Sequence, residues 1–380
     1  MMQQLKLASL VFALLVFIAA CGAPSAPAEP PNGEHTQADV EEAFADYNAA
    51  TAQVSGAVMQ VAGVNAMLMM PEFEGLGMIA PMSLMTLGSG AELGAQALEA
   101  LSTDELPRGV YEFDENQFQW VEIGASANLV LQWEAQDFDT GATYQAELTI
   151  DWGTTIDVST PTGTAEVPTD DMNVSLMVDG AAAADLDLAF SWYAAPTCNG
   201  PIDEPDSLSL NGYVGTDATI EFDDVGFAVT SNSMGTSGEV TLADGADSAS
   251  FHWDVSATGN VMRDSECYLD DFEVDTGSVT FGTSATSAGV STSFEFNLDF
   301  ANLVFDPSTG ELESVDINGN IQIDGSTAVT FTGTLDDLDS EPPGANVTLT
   351  FADGTSTTLK AFLEGSVAAP AALEVLSLIK

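Results

Sequence analysis

The feature that most constrains this chain is an alternation of apolar and polar residues that begins at Val110 and continues almost to the C-terminus. In the run "FEFNLDF", the residues Phe294, Phe296, Leu298 and Phe300 lie on one side of an extended strand. The run "DLDLAFSW" likewise separates its apolar residues from its aspartates. Such alternation is typical of antiparallel strands with one buried face and one wet face. This part of the chain is therefore predicted to form an antiparallel sheet.

Turn signals separate these strands at short intervals. The Asp-Gly pair, a strong sequence signal for a tight hairpin turn, recurs between the apolar runs. It follows Val178, Ala243, Ile323 and Ala352. The stretch "VDINGNIQI" is predicted as one further hairpin, with a loop at Asn318-Gly319-Asn320 that sets Ile317 opposite Ile321.

About fifteen such strands exceed the size of a comfortable flat sheet. We therefore predict a mainly β fold: a large curved antiparallel meander (half barrel, barrel or two-layer sandwich) with an N-terminal Met-rich helical segment. The sequence does not decide whether the sheet closes into a barrel. The predicted segments are a signal peptide over residues 1–20, a lipidated tether over 21–35, the helical Met-rich segment over 36–106, the antiparallel β domain over 107–368 and a short C-terminal helix over 369–380.

The N-terminus has the layout of a signal peptide. Residues 7–20, "LASLVFALLVFIAA", follow a single lysine and end in small residues. This run is shorter than the roughly 20 apolar residues that a membrane-spanning helix needs. Its end, Ile18-Ala19-Ala20-Cys21, resembles the lipobox of bacterial lipoproteins.

That resemblance implies cleavage before Cys21 and a diacylglyceryl group on its thiol. The acyl chains, of which palmitate is typical, then anchor the protein to a membrane, because two chains together bind where one is marginal. Gly22 stands where an aspartate often retains such lipoproteins at the inner membrane. The resemblance therefore implies the outer membrane or the cell surface, and leaves open which side of the membrane the protein faces.

The charge of the chain excludes one class of partner. There are 59 acidic residues against five basic ones, a formal net charge of −54. Such a surface repels phosphate backbones, so we expect no nucleic-acid binding. Because so few basic residues are available to pair with them, the carboxylates indicate either a surface adapted to salt or one that takes up Ca²⁺ through oxygen ligands. The run "DINGNIQIDGST" departs from an EF-hand loop at its glycine and glutamate positions, so the metal ligands stay unassigned.

The cysteines predict one covalent link. Once Cys21 is acylated, Cys198 and Cys267 are left, both in loop-like stretches at the ends of predicted strands. An even pair of cysteines in an exported protein usually closes a disulfide. We therefore predict a bridge between Cys198 and Cys267, with two free thiols or a metal pair as the alternative.

The segment before the sheet is rich in methionine. Its stretch from Met67 to Gly88 is broken by two prolines, and methionine side chains adapt well to irregular apolar surfaces. The segment either packs on the sheet as helix core or acts as a lid over an apolar ligand. In the second case, the ligand contacts are Met67, Met69, Met70, Met78, Met82 and Met85.

No established catalytic motif occurs in the sequence: there is no Gly-x-Ser-x-Gly elbow and no Gly-Lys-Ser/Thr phosphate loop. His252 lies with Ser250 and Asp254 on the polar side of one strand, spread along it in a way that makes no nucleophile.

We therefore predict a non-enzymatic envelope or surface lipoprotein that binds an apolar ligand or lipid in the curved sheet and needs no cofactor. The first alternative is an acidic structural or adhesive surface protein that is adapted to high salt or takes up Ca²⁺, which would then be its cofactor. The second alternative is an envelope-polymer hydrolase. The sequence identifies no ligand, partner protein or oligomeric state.

Overall fold

The computed structural model describes the chain from Arg108 to Gly365, with short gaps. The described residues are 108–114, 116–136, 141–160, 163–195, 198, 200–202, 204–216, 218–287, 289–305, 312–336 and 343–365. The predicted signal peptide, tether, Met-rich helical segment and C-terminal helix lie outside these residues, as do Cys21 and the six methionines named above. Those assignments stay predictions.

Strands account for nearly all of the described chain, as the alternation predicts. In β8, for example, every second residue from Ala184 to Trp192 is buried and the residues between them are exposed. The elements in chain order are β1 (Gly109–Asp114), β2 (Gln119–Gly124), β3 (Leu129–Gln136), β4 (Thr143–Asp151), β5 (Thr155–Thr160), β6 (Gly163–Pro168), β7 (Asp171–Val178), β8 (Ala181–Trp192), β9 (Pro205–Gly215), β10 (Ala218–Val229), β11 (Ser233–Asp244), β12 (Asp247–Arg263), β13 (Leu269–Ser287), β14 (Val290–Phe305), β15 (Leu312–Ile323), β16 (Ser326–Leu335), β17 (Val347–Phe351), β18 (Ser356–Thr358) and α1 (Leu359–Gly365).

Sixteen of these strands form one sheet, in which most strands pair with the next strand in the chain. From edge to edge the order is β18-β17-β16-β15-β14-β13-β12-β11-β10-β9-β8-β7-β4-β3-β1-β2. The ladders are antiparallel except that between β1 and β3, which is parallel. The strands β5 and β6 form a separate hairpin. The predicted antiparallel meander is therefore confirmed, and within the described residues its two edge strands, β2 and β18, do not pair with each other.

One face of the sheet is apolar across its whole width, because residues opposite each other in a ladder point to the same side. Leu131, Leu148 and Leu176 stand opposite one another on β3, β4 and β7, and each is at most 1% exposed. Far along the sheet, Phe296 of β14 stands opposite Ile321 of β15 on the same face. The other face carries the acidic and hydroxyl side chains.

The apolar face packs into two separate cores. The first core is built mainly from β3, β4 and β7 to β10, and the second from β13 to β17. In the second core the rings of Phe296 and Phe331 stack with centroids 5.4 Å apart, and Phe362 of α1 approaches Phe351 at 6.0 Å. Strands β11 and β12 lie between the cores, and Trp253 there is only half-buried. The curved sheet therefore packs around two separate cores and has no single continuous interior in the described residues.

Two of the predicted Asp-Gly turns adopt the expected geometry. The β7–β8 turn places Asp179 and Gly180 at φ of 49° and 78°. The β15–β16 turn places Asp324 and Gly325 at 48° and 73°. Two central residues with positive φ are what a type I′ hairpin requires, and Asp and Gly tolerate that conformation.

The hairpin predicted at Asn318-Gly319-Asn320 is wrong. These residues lie inside the continuous strand β15, where Gly319 stands opposite Leu298 and Phe331. The Phe331 ring covers the glycine, and its Cζ would lie 2.4 Å from a Cβ at that position. The glycine therefore marks a close approach rather than a turn. The helix α1 is a second difference, since it lies within the stretch predicted as the β domain.

Cys198 and Cys267 form the predicted disulfide, with Cα atoms 6.2 Å apart. The bridge joins the β8–β9 connection to the β12–β13 connection, and the alternatives of free thiols or a metal pair are wrong. Because 69 residues separate the two cysteines, the bridge removes considerable freedom from the unfolded chain. Loops of this size correspond to about 4 kcal/mol of stabilisation.

Candidate functional site

Carboxylates on the wet face are hydrogen-bonded to amides and hydroxyls of neighbouring strands rather than to cations. Asn173 of β7 donates to Asp185 at 2.7 Å and to Asp187 at 3.0 Å, both on β8. Asn346 donates to the two carboxylate oxygens of Asp336 at 2.9 and 3.0 Å. A neutral donor gives the carboxylate a hydrogen bond but leaves its negative charge in place. The face therefore keeps its negative charge while its acidic side chains are held in place.

These hydrogen bonds lower the pKa of individual aspartates. The Thr334 hydroxyl, 2.6 Å from Asp316, and the Asn302 amide, 2.8 Å away, hold the pKa of that carboxyl below its usual value. The backbone N–H of Asn116, 2.8 Å from the carboxylate, does the same for the pKa of Asp114 in the β1–β2 turn. In both cases the donor favours the charged form.

Cations play a small part in the described residues, which contain two ion pairs. Arg263 contacts Glu204 with Nη1 and Oε1 2.7 Å apart. Arg108 approaches Glu166 of β6 at 3.9 Å and lies over the Trp152 ring, 5.5 Å from its centroid. The Arg108 pair therefore holds the β5–β6 hairpin against the start of β1.

The Arg263 pair belongs to a compact structural node beside the disulfide. Its guanidinium also donates to the carbonyl of Cys267 at 2.9 Å and stacks on Tyr193, 3.4 Å from the ring centroid. The second oxygen of Glu204 accepts from the backbone N–H of Leu269 at 2.9 Å. These contacts fasten the β8–β9 connection to the β12–β13 connection.

A polar cavity opens where β1 leaves β3, and we call it the notch. Parallel pairing between these strands ends at Glu112 and Gln132, while β3 continues to Gln136 against β4. The notch has a volume of about 510 Å³. Its lining residues are Glu112, Phe113, Gln132, Trp133, Glu134, Gln145, Ala146, Glu147, Met177 and Gly180.

The notch presents acidic acceptors held by glutamines. Gln132 donates to Glu147 at 2.7 Å, and Gln145 donates to Glu134 at 3.3 Å. Glu112 adds a third carboxylate to the lining. Such a surface accepts hydrogen bonds from ammonium, guanidinium or hydroxyl groups. Across the described part of the chain, no group of three or more His, Cys, Asp or Glu residues is arranged to hold a metal ion.

Sequence reasoning missed the notch, although its signal is present in the runs "LQWEAQ" and "YQAEL". Each run alternates glutamine and glutamate with apolar residues, which places the long polar side chains on one face. Only the pairing of the strands brings the two sets together, with Gln132 opposite Glu147 and Glu134 opposite Gln145. That pairing is set by the whole sheet and is not a local property.

Of the residues singled out from the sequence, the structure brings Cys198 and Cys267 together and places His252 as expected. His252 stays on the polar side of β12, half-buried, with its imidazole over Gly282 of β13. Cys21 and the six methionines proposed as ligand contacts lie outside the described residues.

Together the fold and its polar face define a class: an acidic protein with one large, mostly antiparallel sheet, a separate two-stranded hairpin, two main cores and a disulfide between the β8–β9 and β12–β13 connections. A comparison of the chain with protein-family models, with curated proteins and with solved structures finds no match. Within the residues that the structure describes, no helix is long and apolar enough to cross a membrane.

Proposed function

We propose that this protein is a non-enzymatic, lipid-anchored acidic protein of the cell envelope or surface, with a structural or adhesive role. Its carboxylate-rich face adapts the protein to high salt, or takes up Ca²⁺ at pairs of opposed carboxylates, since the described residues contain no larger group of metal ligands. The observation that supports this is how few cations the described residues contain to pair with their carboxylates. The described residues contain only three Lys or Arg side chains, Arg108, Arg263 and Lys360, and the two arginines are held in ion pairs.

The strand register shows where like charges stand opposite each other and would gain from an external cation. Asp223 of β10 stands directly opposite Glu239 of β11, and Asp244 stands opposite Asp247 where β11 turns into β12. Like charges directly opposite each other in a ladder are destabilising. Salt shortens the screening length from about 10 Å at 0.1 M to about 3 Å at 1 M, which is less than the distance between strands. Salt or a bound divalent cation therefore stabilises this sheet.

Thermal unfolding tests the proposal. We expect the midpoint to rise in molar NaCl, or in millimolar CaCl₂ beyond the rise in MgCl₂ of equal ionic strength. The variant Asp223→Asn removes one of two opposed charges and should raise the midpoint at low salt, with a smaller gain in molar NaCl. If neither salt nor Ca²⁺ shifts the midpoint, the acidic face is not a cation-responsive surface and the proposal is wrong.

The anchor needs a separate test because it rests on the lipobox-like tetrad before Cys21. We expect cells fed an alkyne analogue of palmitate to label the protein and to retain it in the membrane fraction. Cys21→Ser should abolish both, while Ser25→Ala, which leaves the tetrad intact, should change neither. Labelling that persists in Cys21→Ser would place the modification elsewhere and contradict the anchor.

An apolar-ligand protein is the second candidate, and one observation favours it. On β11 and β12, between the two cores, and at Phe281 of the adjoining β13, the apolar face is incompletely covered. The rings of Phe251, Trp253 and Phe281 are each half-buried, with the first and last 4.5 Å apart. A lipid or other apolar molecule would gain contact area there. Residues 67–85 are proposed as the lid in this case.

Native mass spectrometry separates the two candidates. The protein carries Cys21→Ser so that its own acyl chains do not confuse the result, and is then extracted with organic solvent. A retained apolar molecule, lost in Trp253→Ser but kept in Trp192→Phe, would favour the second candidate. An empty protein with Ca²⁺ or Na⁺ adducts would favour the first.

A further inference from the structure

The edge strand β2 differs from the opposite edge of the sheet. β2 has six residues and pairs with β1 alone among the described residues. At the other edge, β18 has three residues and is followed at once by α1. Natural sheets protect their edges with short strands, lysines, prolines or a covering element. The β18 edge is short and adjoins a helix, whereas β2 contains no lysine and no proline.

The β2 hairpin also concentrates the exposed apolar side chains. Five large apolar residues are exposed in the described part of the chain, and three of them lie here: Phe118 at 81%, Val121 at 37% and Ile123 at 54%. The other two, Val290 and Val304, lie on the interior strand β14. An edge that is unpaired among the described residues and carries apolar β-branched side chains is a template for another strand.

Acidic side chains surround this apolar edge. Glu112 of β1 stands opposite Val121, and Glu122 lies within β2 itself. Asp114 lies at the end of β1 next to the hairpin turn, and the backbone N–H of Asn116 donates to its carboxylate and lowers its pKa, which favours the charged form. The described cation nearest in sequence, Arg108, is already engaged, because it donates to the carbonyl of Ala127 in the β2–β3 connection and approaches Glu166 on another hairpin. A partner that covers Val121 must therefore bring its own positive charge.

We propose that the outer edge of β2 accepts an extended, basic segment of a partner protein as an added strand. The segment carries β-branched or aromatic residues at alternate positions to cover Val121 and Ile123, with Lys or Arg between or beside them. Glu122 points to the side of the sheet opposite Val121, where the alternate Lys or Arg residues of the added strand lie one strand spacing away. Glu112 shares the side of Val121 and is two spacings, about 10 Å, from the added strand. The inference does not depend on the proposed function or on the anchor.

Charge argues for this partner over a second copy of the chain. Each copy has a formal net charge of −54, so two β2 edges approach each other against strong repulsion. A basic segment instead gains from the same field, which also speeds its association. Backbone hydrogen bonds then supply affinity and the alternating side chains supply specificity.

The test uses synthetic peptides and the full chain carrying Cys21→Ser, at physiological salt. The probe is a capped peptide of alternating lysine and valine. Its matched controls are a Lys–Ser peptide of equal charge and a Glu–Val peptide of equal apolar content. We expect the Lys–Val peptide to bind at least tenfold more tightly than either control, and to slow amide hydrogen exchange in Gln119–Gly124.

A pair of surface variants localises the binding. Val121→Lys with Ile123→Lys should weaken the Lys–Val peptide at least tenfold. The matched control, Val290→Lys with Val304→Lys, changes the net charge equally at exposed positions of β14 and should leave binding within twofold. Equal loss in both pairs would show that net charge alone governs binding and would overturn the proposal.

Two further outcomes also overturn it. Unchanged hydrogen exchange in β2 with saturating peptide would mean that the peptide binds elsewhere, and this measurement needs no variant. A dimer seen by sedimentation in the unmodified chain, and lost in Val121→Lys with Ile123→Lys but not in the control pair, would make a second copy the occupant of the edge.

Discussion

The imidazole ring of His252 lies directly over Gly282 on the neighbouring strand, and a Cβ at position 282 would come within 2.0 Å of its Cε1. The two residues are opposite each other in the β12–β13 ladder. The same relationship recurs between Gly319 and Phe331, where the ring is buried. An aromatic ring across the ladder shields a strand glycine that has no side chain of its own.

The two glycines differ in the atoms that an added methyl group would meet, so their alanine variants should differ in stability. In Gly282→Ala the three atoms nearest the added methyl group all belong to the half-buried His252 ring, which can rotate away, and we expect a loss below about 1 kcal/mol. In Gly319→Ala the methyl would also lie 2.0 Å from the backbone oxygen of Asn297. Overpacking against backbone cannot relax by a rotamer change, so a loss of about 2 kcal/mol or more is expected. Urea unfolding of both variants measures the difference; equal losses would contradict it.

Loss of the disulfide should destabilise the protein by about 4 kcal/mol. Cys198→Ser with Cys267→Ser opens the loop between two cysteines that are 69 residues apart. Chemical unfolding with and without reductant measures the effect. Reductant should destabilise the unmodified chain and leave the double variant unchanged, which serves as the control. Insensitivity of the unmodified chain would mean that the bridge does not form in solution.

Removing Arg263 should cost more than removing Arg108. Arg263→Ala leaves the Glu204 carboxylate, whose side chain is 25% exposed, without its cation, and also loses the contact with Tyr193. We expect about 2 to 3 kcal/mol for such a partly buried pair. Arg108 is 37% exposed and 3.9 Å from its partner, so Arg108→Ala should cost less than about 1 kcal/mol. Similar losses in urea unfolding would show that the node near the disulfide is not held by its ion pair.

Acid should remove a stabilising contribution at Asp316. The folded pKa of this carboxyl lies below its usual value because Thr334 and Asn302 donate to it. Its contribution is therefore present above the unfolded pKa, about 3.9, and is lost as the pH falls through the lower folded pKa. Thr334→Val should raise the pKa of Asp316 toward its ordinary value, as measured by carboxyl-carbon NMR, while the Asn302 hydrogen bond keeps part of the lowering.

Asp353 provides the control for that titration. Its pKa is lowered by the side chain and backbone N–H of Thr355, a contact that does not involve Thr334. The pKa of Asp353 should therefore stay unchanged in Thr334→Val. A parallel rise at both carboxyls would indicate a general change of field rather than the loss of one hydrogen bond.

The sequence predicts those features of the fold that depend on near neighbours. The alternation in "DLDLAFSW" and the Asp-Gly pair after Val178 were sufficient for β8 and its turn, because both signals are local. The Asn-Gly pair at Asn318 was misleading, because the ring that explains Gly319 comes from another strand. The parallel pairing of β1 with β3, and hence the notch, depends on contacts that no local pattern encodes.

The separation of the apolar face into two cores has a consequence for how the protein comes apart. Cooperative unfolding requires that loss of one contact weaken the rest, and β11 and β12 connect the cores through their backbone ladders with a single fully buried side chain, Ala249. We therefore expect the strands from β13 to β18 to open as a unit while Leu131 and its neighbours keep their amides protected. Heat or force applied to this molecule should then meet two successive barriers rather than one.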